Sequence, residues 1–416
     1  MKSTEEIIER AERLLTGRYG GQQKLTDVQP LSGTGHAVVL RAKVAQSPFL
    51  EDRSLVIKYT PRSEDPLDDV GLIREVVAYQ FTTSLPEEVR PGPVLLAYDI
   101  DQRLVVISDS GDGDTFAELL SQSGEESRAH ILRNLGQAIG RMHAGTADRE
   151  DNFDTLQARV LRSHQDASAL VHARDHSLEF SLGTGVSLLN DAGLDVPPDV
   201  MELIGQARRR LLRGQHRAFT PFDLSPDNII VAQKTHFLDY EWAGFRDATF
   251  DVACVVAGFP QFLFSRPISD DEADVFIDAW VGEVNSIWPN VRNEDRLHVR
   301  IVIAMLGWAL ASISLMHFGS LNNVAVALMH DSSAEEAETA RMLSEERRAE
   351  IDVLRPSTEG PFSEEEHLVR RDLHETFEAL ARFAARGSDT RLPVVAQFAA
   401  HVAERLAPVD DAPRYA

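Results

Sequence analysis

The residues that decide the fold read Phe222-Asp223-Leu224-Ser225-Pro226-Asp227-Asn228, and they place an aspartate five positions before an asparagine. The apolar runs Ile229-Ile230-Val231 and His236-Phe237-Leu238 follow, and Asp239 comes directly after the second run. Two short strands joined by a turn form a hairpin, which would hold Asn228 and Asp239 side by side. Phosphoryl transfer requires one carboxylate that orients a hydroxyl and accepts its proton, next to an amide oxygen and a second carboxylate that bind Mg²⁺.

The first part of the chain contains residues that would complete such a site. A glycine turn, Leu31-Ser32-Gly33-Thr34-Gly35-His36, precedes the strand Val38–Val44, and glycine lets backbone N–H groups approach phosphates closely. Lys58 lies in the apolar strand Leu55–Tyr59, where an unpaired ammonium would be costly. Glu75 on the next helix is the natural partner, and the pair would direct Lys58 toward nucleotide phosphates. Each feature alone has a simpler interpretation, as a common turn or as a lysine that reaches solvent from an edge strand.

The chain changes character near residue 110. Before it, the pattern predicts strands with one helix among them, after an N-terminal amphipathic helix that begins with a capping box of Ser3 and Glu6. Beyond a polar, glycine-rich linker at Ser110–Asp114, it predicts mostly helices. The early predicted elements are the strands Val38–Val44, Leu55–Tyr59, Val94–Tyr98 and Leu104–Ile107 and the helix Asp69–Leu85. The later predicted helices are Ile131–His143, Asp199–Leu212, Asp270–Trp288, Glu294–Phe318, Ser333–Leu354, Ser363–Ala385 and Pro393–Leu406.

This ordered set of motifs resembles the aminoglycoside phosphotransferase and choline kinase superfamily. The matching motifs, within residues 25–260, are Ser32–Gly35, Lys58, Arg74-Glu75, Val106–Gly111, Leu135-Gly136 to Met142-His143, Phe222–Asn228, Phe237–Glu241 and Phe250–Ala253. The resemblance implies an α+β, two-lobed protein-kinase-like fold, with a small antiparallel-sheet N-lobe and a large, mainly helical C-lobe with extra C-terminal helices. It implies a nucleotide-binding lobe at 1–110, a helical catalytic C-lobe at 111–332 and a helical extension packed on the C-lobe at 333–416.

The resemblance also implies a role for each candidate residue in an ATP- and Mg²⁺-dependent small-molecule kinase. The acceptor would be a hydroxyl of an aminoglycoside-like antibiotic, a sugar or an amino-alcohol. Asp223 would be the catalytic base, Asn228 and Asp239 would bind Mg²⁺, and Lys58, held by Glu75, would contact the phosphates. The other nucleotide-binding candidates are the glycine-turn residues Ser32, Gly33, Thr34 and Gly35 and the hinge residues Ser108, Asp109 and Ser110, whose backbone would bind adenine.

Two parts of the sequence depart from known kinase patterns. The family has His-Gly-Asp at the catalytic aspartate, whereas this chain has Pro221-Phe222-Asp223, which leaves open whether activity is lowered or lost. After Asp239 comes Tyr240-Glu241 rather than Phe-Gly, and no Ala-Pro-Glu follows, which argues against a protein kinase. Asp251, by contrast, matches an aspartate that braces the catalytic loop in the family.

Three alternative functions stay open. A nucleotide-binding pseudokinase or regulatory scaffold is favoured by Pro221 and Phe222, and disfavoured by the retained Lys58, Asp223 and Asp239. Transfer of AMP instead of phosphate needs a flipped nucleotide, which no sequence pattern reveals. A helical interaction protein would use the charged region after residue 333 as its working surface.

Composition limits the classes of partner. The chain has 416 residues, of which 43% are hydrophobic, and its formal net charge of −24 repels nucleic-acid phosphates. Cys254 is the only cysteine, which excludes an internal disulfide and a cysteine-based zinc site. The uncharged run Ile301–Met316 is shorter than a membrane span of roughly 18–20 residues, so a buried core helix is expected. We therefore predict a cytoplasmic protein with a small-molecule partner, no nucleic-acid partner and no membrane association, while the oligomeric state stays open.

The sequence does not identify the acceptor. The resemblance places its pocket between the catalytic loop and the later helices, where carboxylates could receive an amine. Trp242 and Phe245 could stack there on a sugar or a quaternary amine, or simply pack in the core. The acidic candidates are Asp227, Glu241, Asp270, Asp271, Glu272 and Asp274, and those in 270–274 could equally favour a helix N-terminus.

Overall fold

The computed structural model describes residues 2–31, 37–62, 66–320, 323–324 and 352–408. A small sheet-based lobe is followed by a larger, mainly helical lobe, as the sequence predicts. The elements of the first lobe are α1 (Thr4–Tyr19), β1 (Leu25–Leu31), β2 (Val38–Val44), β3 (Ser54–Tyr59), α2 (Pro66–Thr83), β4 (Leu95–Asp99) and β5 (Leu104–Ser108). Those of the second lobe are β6 (Asp114–Thr115), α3 (Phe116–Gln122), α4 (Glu125–Thr146), α5 (Glu150–Leu161), α6 (Ala167–Asp191), α7 (Pro198–Arg213), β7 (Arg217–Thr220), β8 (Ile229–Val231), β9 (Thr235–Phe237), β10 (Gly244–Asp247), α8 (Thr249–Val256), α9 (Asp270–Val284), α10 (Glu294–Phe318), α11 (Glu364–Ala385) and α12 (Leu392–Leu406).

The first lobe is built on a five-stranded antiparallel sheet with the order β1-β2-β3-β5-β4. Side chains alternate between its two faces. On β5, Val106 joins an apolar cluster with α1, whereas Val105 joins the main core with α2. On β3, Ile57 joins the α1 cluster, so the next residue, Lys58, points toward α2. This alternation directs a charged side chain toward the helix that carries Glu75.

Helix α1 begins at the capping box that the sequence predicts. Ser3 Oγ accepts a hydrogen bond from the Glu6 amide at 3.2 Å, and the Glu6 carboxylate accepts from the Ser3 amide at 3.1 Å. Ile7, Ala11 and Leu15 are buried against the sheet at helical spacing. The helix therefore covers the sheet face opposite α2.

Short strands in the second lobe position the loops between them. β8 and β9 form the predicted hairpin, with Ile229 opposite Phe237, and β6 extends it to three strands. β7 pairs separately with β10. The loop from β7 to β8 carries Asp223, and Asp239 lies just after β9, so both residues emerge from fixed strand ends.

Helix α10 runs through the core of the second lobe. By length and composition it is the one described helix that could cross a membrane, yet 78% of its most apolar window is buried inside the protein. Trp308 Nε1 donates to the Phe250 carbonyl on α8 at 2.8 Å, and Ser314 Oγ donates to the Ser181 carbonyl on α6 at 2.5 Å. Such burial agrees with the predicted core helix.

Helix α9 ends at Val284, four residues before the predicted end at Trp288. The Asn285 side chain explains the difference, because its Nδ2 donates to the carbonyls of Val281 at 2.9 Å and Gly282 at 2.8 Å. Those bonds compete with continuation of the helical ladder.

The helix predicted at Ser333–Leu354 lies outside the described residues except for its last three positions. Residues 352–354 are not helical, so the prediction is wrong there. Asp352 Oδ1 accepts a hydrogen bond from the Leu354 amide at 3.3 Å, a local bond that competes with a helix, and Pro356 follows.

The C-terminal helices α11 and α12 match the predicted ranges to within one residue. α11 packs on α10, and α12 packs on α7. The division of the chain at residues 110 and 332 stays a prediction.

Candidate active site

The loop between β7 and β8 brings Asp223 and Asn228 into direct contact. Asp223 Oδ2 accepts a hydrogen bond from Asn228 Nδ2 at 3.2 Å, and Asp223 Oδ1 accepts from the Ser225 amide at 3.1 Å. Pro226–Asn228 form a 3-10 helix, and the Asn228 amide donates to the Ser225 carbonyl at 2.8 Å. The five-residue spacing is therefore the length of a turn that folds the asparagine back onto the aspartate.

This contact determines how the Asn228 amide is oriented. An ionised carboxylate can only accept hydrogen bonds, so Asn228 presents its NH₂ group to Asp223 and turns its oxygen away. The Leu238 amide donates to the Asn228 carbonyl at 2.8 Å, which holds the residue before Asp239 against Asn228. The hairpin thus places Asp239 one residue beyond the backbone partner of Asn228.

Lys58 links the two lobes. Its Nζ lies 2.9 Å from Glu75 Oε1 on α2 and 2.9 Å from Asp239 Oδ1 in the second lobe. The Glu75 side chain is 3% exposed and the Lys58 side chain 19%, so the predicted ion pair is largely buried. Burial alone would lower the pKa of Lys58, but the carboxylates of Glu75 and Asp239 raise it above its ordinary value. Burial raises the pKa of the Glu75 carboxyl, against the opposing charge of Lys58.

Asp239 adopts a left-handed backbone conformation with a φ of 58°, which is uncommon for a residue other than glycine. The 3-10 helix Tyr240–Trp242 begins directly after it. Tyr240 is buried and packs on Tyr79 of α2, with ring centroids 4.7 Å apart. A buried aromatic side chain at the next position therefore anchors the turn that presents Asp239.

The surroundings of Asp223 suit a proton acceptor. Burial raises its pKa to about 6, and the negative charge of Asp239 adds to the rise. Glu241 acts in the same direction, while Lys58 opposes it. A base is most effective when its pKa lies near the working pH, so the environment that raises this pKa favours the predicted role.

The same carboxylates form an oxygen-rich, negatively charged set. Lys58 acts electrostatically on Asp223, Asp239 and Glu241, and the Glu241 carboxylate also lies 3.8 Å from the Arg174 guanidinium. Hard divalent cations prefer such oxygen ligands, and the Asn228 oxygen adds a neutral one. Among the described residues, however, no three His, Cys, Asp or Glu side chains lie close enough to hold a metal ion. The set fits a Mg²⁺ ion that takes further oxygen ligands from nucleotide phosphates.

Phe222 occupies the position of glycine in the family pattern, and its φ of 66° is left-handed. That conformation costs a residue with a Cβ about 1–2 kcal/mol. The Phe222 ring stacks on Trp308 of α10, with centroids 4.8 Å apart and planes 23° apart. The Arg246 guanidinium lies 4.5 Å from the centroid of the same ring. Packing on both partners holds Phe222 in a conformation that glycine adopts freely.

Asp251 makes its side-chain hydrogen bond to His143 rather than to the catalytic loop. Asp251 Oδ2 lies 3.1 Å from His143 Nε2, and Trp280 Nε1 donates to His143 Nδ1 at 3.0 Å. Because indole only donates, Nδ1 accepts and Nε2 donates its proton to Asp251. Asp251 Oδ1 has no hydrogen-bond partner among the described residues. The expectation that Asp251 braces the loop around Asp223 is therefore corrected, because its side chain bonds to His143. Pro221 of that loop could not donate a backbone hydrogen bond to Asp251, because proline has no N–H.

The three hinge residues differ in what their backbones can offer. Ser108 ends β5, and its amide donates to the Val94 carbonyl at 2.8 Å, so this donor is already used. Asp109 accepts hydrogen bonds from Arg41 Nη2 at 3.0 Å and Ser54 Oγ at 2.6 Å, which tie the hinge to β2 and β3. The backbone groups of Asp109 and Ser110 make no hydrogen bond to any other described residue. The glycine-turn candidates Ser32, Gly33, Thr34 and Gly35 lie outside the described residues.

Several side chains proposed for the acceptor pocket are used within the protein. Trp242 carries the Arg174 guanidinium over its ring at 3.7 Å from the centroid, and Phe245 is buried. Three of the acidic candidates form ion pairs that join α9 to α4 and to the end of α11. The pairs are Glu272 with Arg128 at 2.7 Å, Asp270 with Arg382 at 3.0 Å and Asp274 with Arg386 at 2.5 Å. Glu241 contacts Arg174 through its carbonyl at 2.8 Å and through its carboxylate at 3.8 Å, whereas Asp227 and Asp271 are exposed.

The sequence also leaves α6 unpredicted, although its residues Arg174 and Asp175 reach the site. Buried positions of α6 include Arg174, Ser177, Ser181 and Gly185. These polar and small residues share the buried side with Val171, Leu178 and Leu182, so the apolar stripe is interrupted and its periodicity is weak.

A family comparison agrees with this geometry. Residues 80–292, slightly more than half of the chain, match the family of phosphotransferase enzymes designated APH. This chain belongs to the phosphotransferase enzyme family. The matched range contains Asp223, Asn228 and Asp239, and it begins after Lys58 and Glu75. Membership establishes a small-molecule phosphotransferase and confirms the predicted family.

Solved structures of other kinases are similar to this phosphotransferase at low sequence identity. A choline kinase from Streptococcus pneumoniae has a TM-score of 0.44 and 13% identity, covering 82% of this chain and 100% of its own. A choline kinase from Cryptosporidium parvum Iowa II has a TM-score of 0.43 and 13% identity, covering 84% and 96%. The ADP-bound aminoglycoside phosphotransferase APH(2'')-Ib has a TM-score of 0.42 and 12% identity, covering 82% and 97%. No curated protein matches the chain in sequence.

Proposed function

We propose that this chain is an ATP- and Mg²⁺-dependent kinase that transfers the γ-phosphate to a hydroxyl group of a small molecule. The observation that carries the proposal is the position of Lys58, whose Nζ lies 2.9 Å from both Glu75 and Asp239. A lysine shared between a helix of one lobe and the aspartate of the other lies where a nucleotide's phosphates would enter. Burying an ammonium is costly unless it is paired, and Lys58 is paired with one carboxylate from each lobe.

In the proposed reaction, the acceptor hydroxyl oxygen forms a bond to the γ-phosphorus, and the bond from that phosphorus to the β-phosphate oxygen breaks. ADP leaves with the electrons of the broken bond. Asp223 orients the hydroxyl and takes its proton as the new bond forms. Lys58 holds the phosphates and offsets their charge. Most of the acceleration would come from alignment and charge neutralisation, since a hydroxyl gives up its proton late.

Asn228 and Asp239 would hold Mg²⁺, which neutralises phosphate charge when bound. The orientation of the Asn228 amide supports this role, because its NH₂ group faces Asp223 and its oxygen does not. The backbone of Asp109 and Ser110 is the part of the hinge best able to bind adenine. A phosphate contact by Ser32, Gly33, Thr34 and Gly35 stays a prediction.

The acceptor class that we propose is an aminoglycoside-like antibiotic, a sugar or an amino-alcohol. The excess of carboxylate near Asp223 favours an acceptor that carries an amine. A cytoplasmic location and the lack of nucleic-acid and membrane partners belong to the same proposal.

The test is Mg²⁺-dependent ADP release by the purified protein in the presence of aminoglycosides, macrolides, sugars and amino-alcohols. Asp223→Ala should abolish acceptor-dependent release, whereas Asp195→Ala, at an exposed loop position, should leave it unchanged. Nucleotide binding without turnover by any acceptor would favour the pseudokinase alternative. Release of pyrophosphate instead of ADP would indicate AMP transfer. Lack of Mg²⁺-ATP binding would remove the proposal.

A further inference from the structure

Two consecutive residues of helix α6 contact the two elements that supply carboxylates to Lys58. These elements are the turn after Asp239 and helix α2, which carries Glu75. Arg174 Nη1 donates to the Glu241 carbonyl at 2.8 Å, and its guanidinium lies 3.7 Å from the centroid of the Trp242 ring. Glu241 and Trp242 belong to the 3-10 helix that begins directly after Asp239. Arg174 is buried, so it fixes the carbonyl and the ring of this turn from within the protein.

The next residue, Asp175, binds the other element. Its Oδ1 and Oδ2 accept hydrogen bonds from Arg74 Nη2 at 2.6 Å and 2.7 Å. Arg74 is buried and directly precedes Glu75 on α2. Consecutive residues of a helix point about 100° apart, so Arg74 can face α6 while Glu75 faces Lys58. Asp175 therefore sets the rotation of the helix that presents Glu75.

Asp175 also offsets the charges of two neighbouring guanidinia, those of Arg74 and Arg246. A Cβ built on Gly244 would lie 3.3 Å from Arg246 Nη1 and 3.5 Å from Arg74 Nη1, so the two buried guanidinia share one small space. Burial lowers the pKa of Arg246 to about 10, and Asp175 acts in the opposite direction. Two buried cations this close need a carboxylate nearby, and Asp175 supplies it.

We propose that Arg174 and Asp175 are positioning residues of the phosphotransferase site. Asp175 fixes α2, and through Glu75 the position of Lys58. Arg174 fixes the turn after Asp239, and so the left-handed backbone that presents its carboxylate. The inference rests on the proposed function, since it assigns these residues to the nucleotide and Mg²⁺ sides of that same site.

A purely structural role for these contacts makes a different prediction. Loss of an ordinary buried ion pair lowers the stability of the whole fold and leaves the ligand affinity of the folded fraction unchanged. Loss of a positioning contact changes the ligand affinity of the folded protein. Asp175 should affect the binding of the nucleotide itself, and Arg174 should affect how much Mg²⁺ strengthens that binding. Asp175 acts on the lysine side, and Arg174 acts on the metal side.

The experiment is calorimetric titration of ADP into the full-length protein, with and without Mg²⁺, alongside thermal unfolding. Asp175→Asn keeps a hydrogen-bond acceptor but removes the charge, and it should weaken ADP binding roughly 10-fold both with and without Mg²⁺. Arg174→Gln should leave the ADP affinity without Mg²⁺ nearly unchanged. The factor by which Mg²⁺ increases the ADP affinity should be roughly 10-fold smaller in this variant than in the wild type. Glu179→Gln is the matched control, because Glu179 lies on the same helix in an exposed pair with Arg208.

Two further variants keep the test decisive if a substitution unfolds the protein. Asp175→Glu should restore most of the affinity, because it keeps the charge. Arg74→Gln combined with Asp175→Asn should cost no more affinity than either change alone, because both break one contact. Variants that unfold at lower temperature but bind ADP and respond to Mg²⁺ as the wild type does would overturn the inference. A wild-type protein that does not bind ADP with Mg²⁺ would overturn the proposed function as well.

Discussion

Phe222, in the loop between β7 and β8, stacks on Trp308 of the core helix α10, with ring centroids 4.8 Å apart. The stack holds Phe222 at a φ of 66°, which is a left-handed backbone conformation. The family pattern has glycine at this position. The residue before Asp223 thus depends on tertiary packing for a backbone geometry that glycine would adopt on its own.

At Phe222, replacement by glycine should therefore destabilise the fold less than replacement by alanine. Phe222→Ala loses the stack and keeps the backbone strain, whereas Phe222→Gly loses the stack but relieves the strain. Both should destabilise the fold by roughly 3 kcal/mol or more, as for other buried aromatic truncations. The glycine variant should be the more stable by about 1 kcal/mol, the reverse of the usual preference for alanine. Chemical denaturation measures both, and an alanine variant at least as stable as the glycine variant would contradict the strain argument.

Removal of the Lys58 ammonium should abolish productive nucleotide binding. Lys58→Met keeps the length of the side chain but leaves Glu75 and Asp239 without their shared cation. We expect kcat/KM for ATP to fall by at least about 100-fold, because phosphate charge is then uncompensated. Lys43→Met is the control, since Lys43 lies in the same sheet in an exposed pair with Asp27. Equal losses in the two variants would show that the sheet, rather than the site, is affected.

Asp223 should link activity to pH. Its pKa of about 6 lies above the ordinary value of 3.8, and only the ionised form can accept a proton. Turnover should therefore decline about tenfold for each pH unit below about 6 and level off above it. A rate that stays constant from pH 7 to pH 5 would exclude Asp223 as the base.

The same raised pKa predicts how Asp223→Asn affects stability. A carboxyl whose pKa is higher in the folded state stabilises the fold below pH 3.8, and this contribution is lost as the pH rises through about 6. The asparagine variant should thus be at least as stable as the wild type at pH 7, while turnover falls by at least about 100-fold. Thermal unfolding and ADP release measured together separate a catalytic loss from a folding defect.

Asp372 on α11 should make the fold sensitive to pH near neutrality. Its side chain is buried, Oδ1 accepts from the Gln261 amide at 2.8 Å, and Oδ2 has no partner among the described residues. Burial raises its pKa to about 7 from 3.8. The stabilising contribution is therefore complete below pH 3.8 and is lost as the pH rises through about 7, up to about 4 kcal/mol in total.

Asp372→Asn should remove this pH dependence, so its melting temperature relative to the wild type should rise between pH 5 and pH 8. Asp389→Asn is the matched control. Hydrogen bonds from Arg391 lower the pKa of Asp389 to about 2, so its contribution is constant across that range. That variant should lose stability by the same amount at each pH. Parallel curves for the wild type and Asp372→Asn would contradict the assigned cause.

The sequence predicts those parts of the site that follow from local patterns. Strand alternation directs Lys58 toward α2, and the turn Pro226–Asn228 converts a five-residue spacing into the Asp223–Asn228 hydrogen bond. Both depend on residues close together in the chain or on a regular period. The same holds for the capping box of α1 and for the extent of α11.

Other parts depend on packing between distant elements, which no local pattern encodes. The stack of Phe222 on Trp308 arises only when α10 packs beneath the catalytic loop. The sequence does not predict α6, because polar and small residues interrupt the apolar residues of its buried side. Helix α9 ends early because the Asn285 side chain hydrogen-bonds to the last carbonyls of the helix. Asp251 was expected to brace the loop, but its hydrogen bond goes to His143. In each case the role of the side chain depends on contacts within the fold that the residue type alone does not predict.

The bond between Lys58 and Asp239 has one more consequence, which concerns the order of events at the site. Asp239 Oδ1 forms an ion pair with the Lys58 ammonium, which would also bind the nucleotide phosphates. The carboxylate and the phosphates would therefore compete for Lys58. Nucleotide entry would then be an exchange of partners, in which phosphate replaces carboxylate on Lys58. The displaced Oδ1 of Asp239 would then become available to a metal ion. Arrival of the nucleotide and completion of the metal site would thus be coupled by a single ion pair.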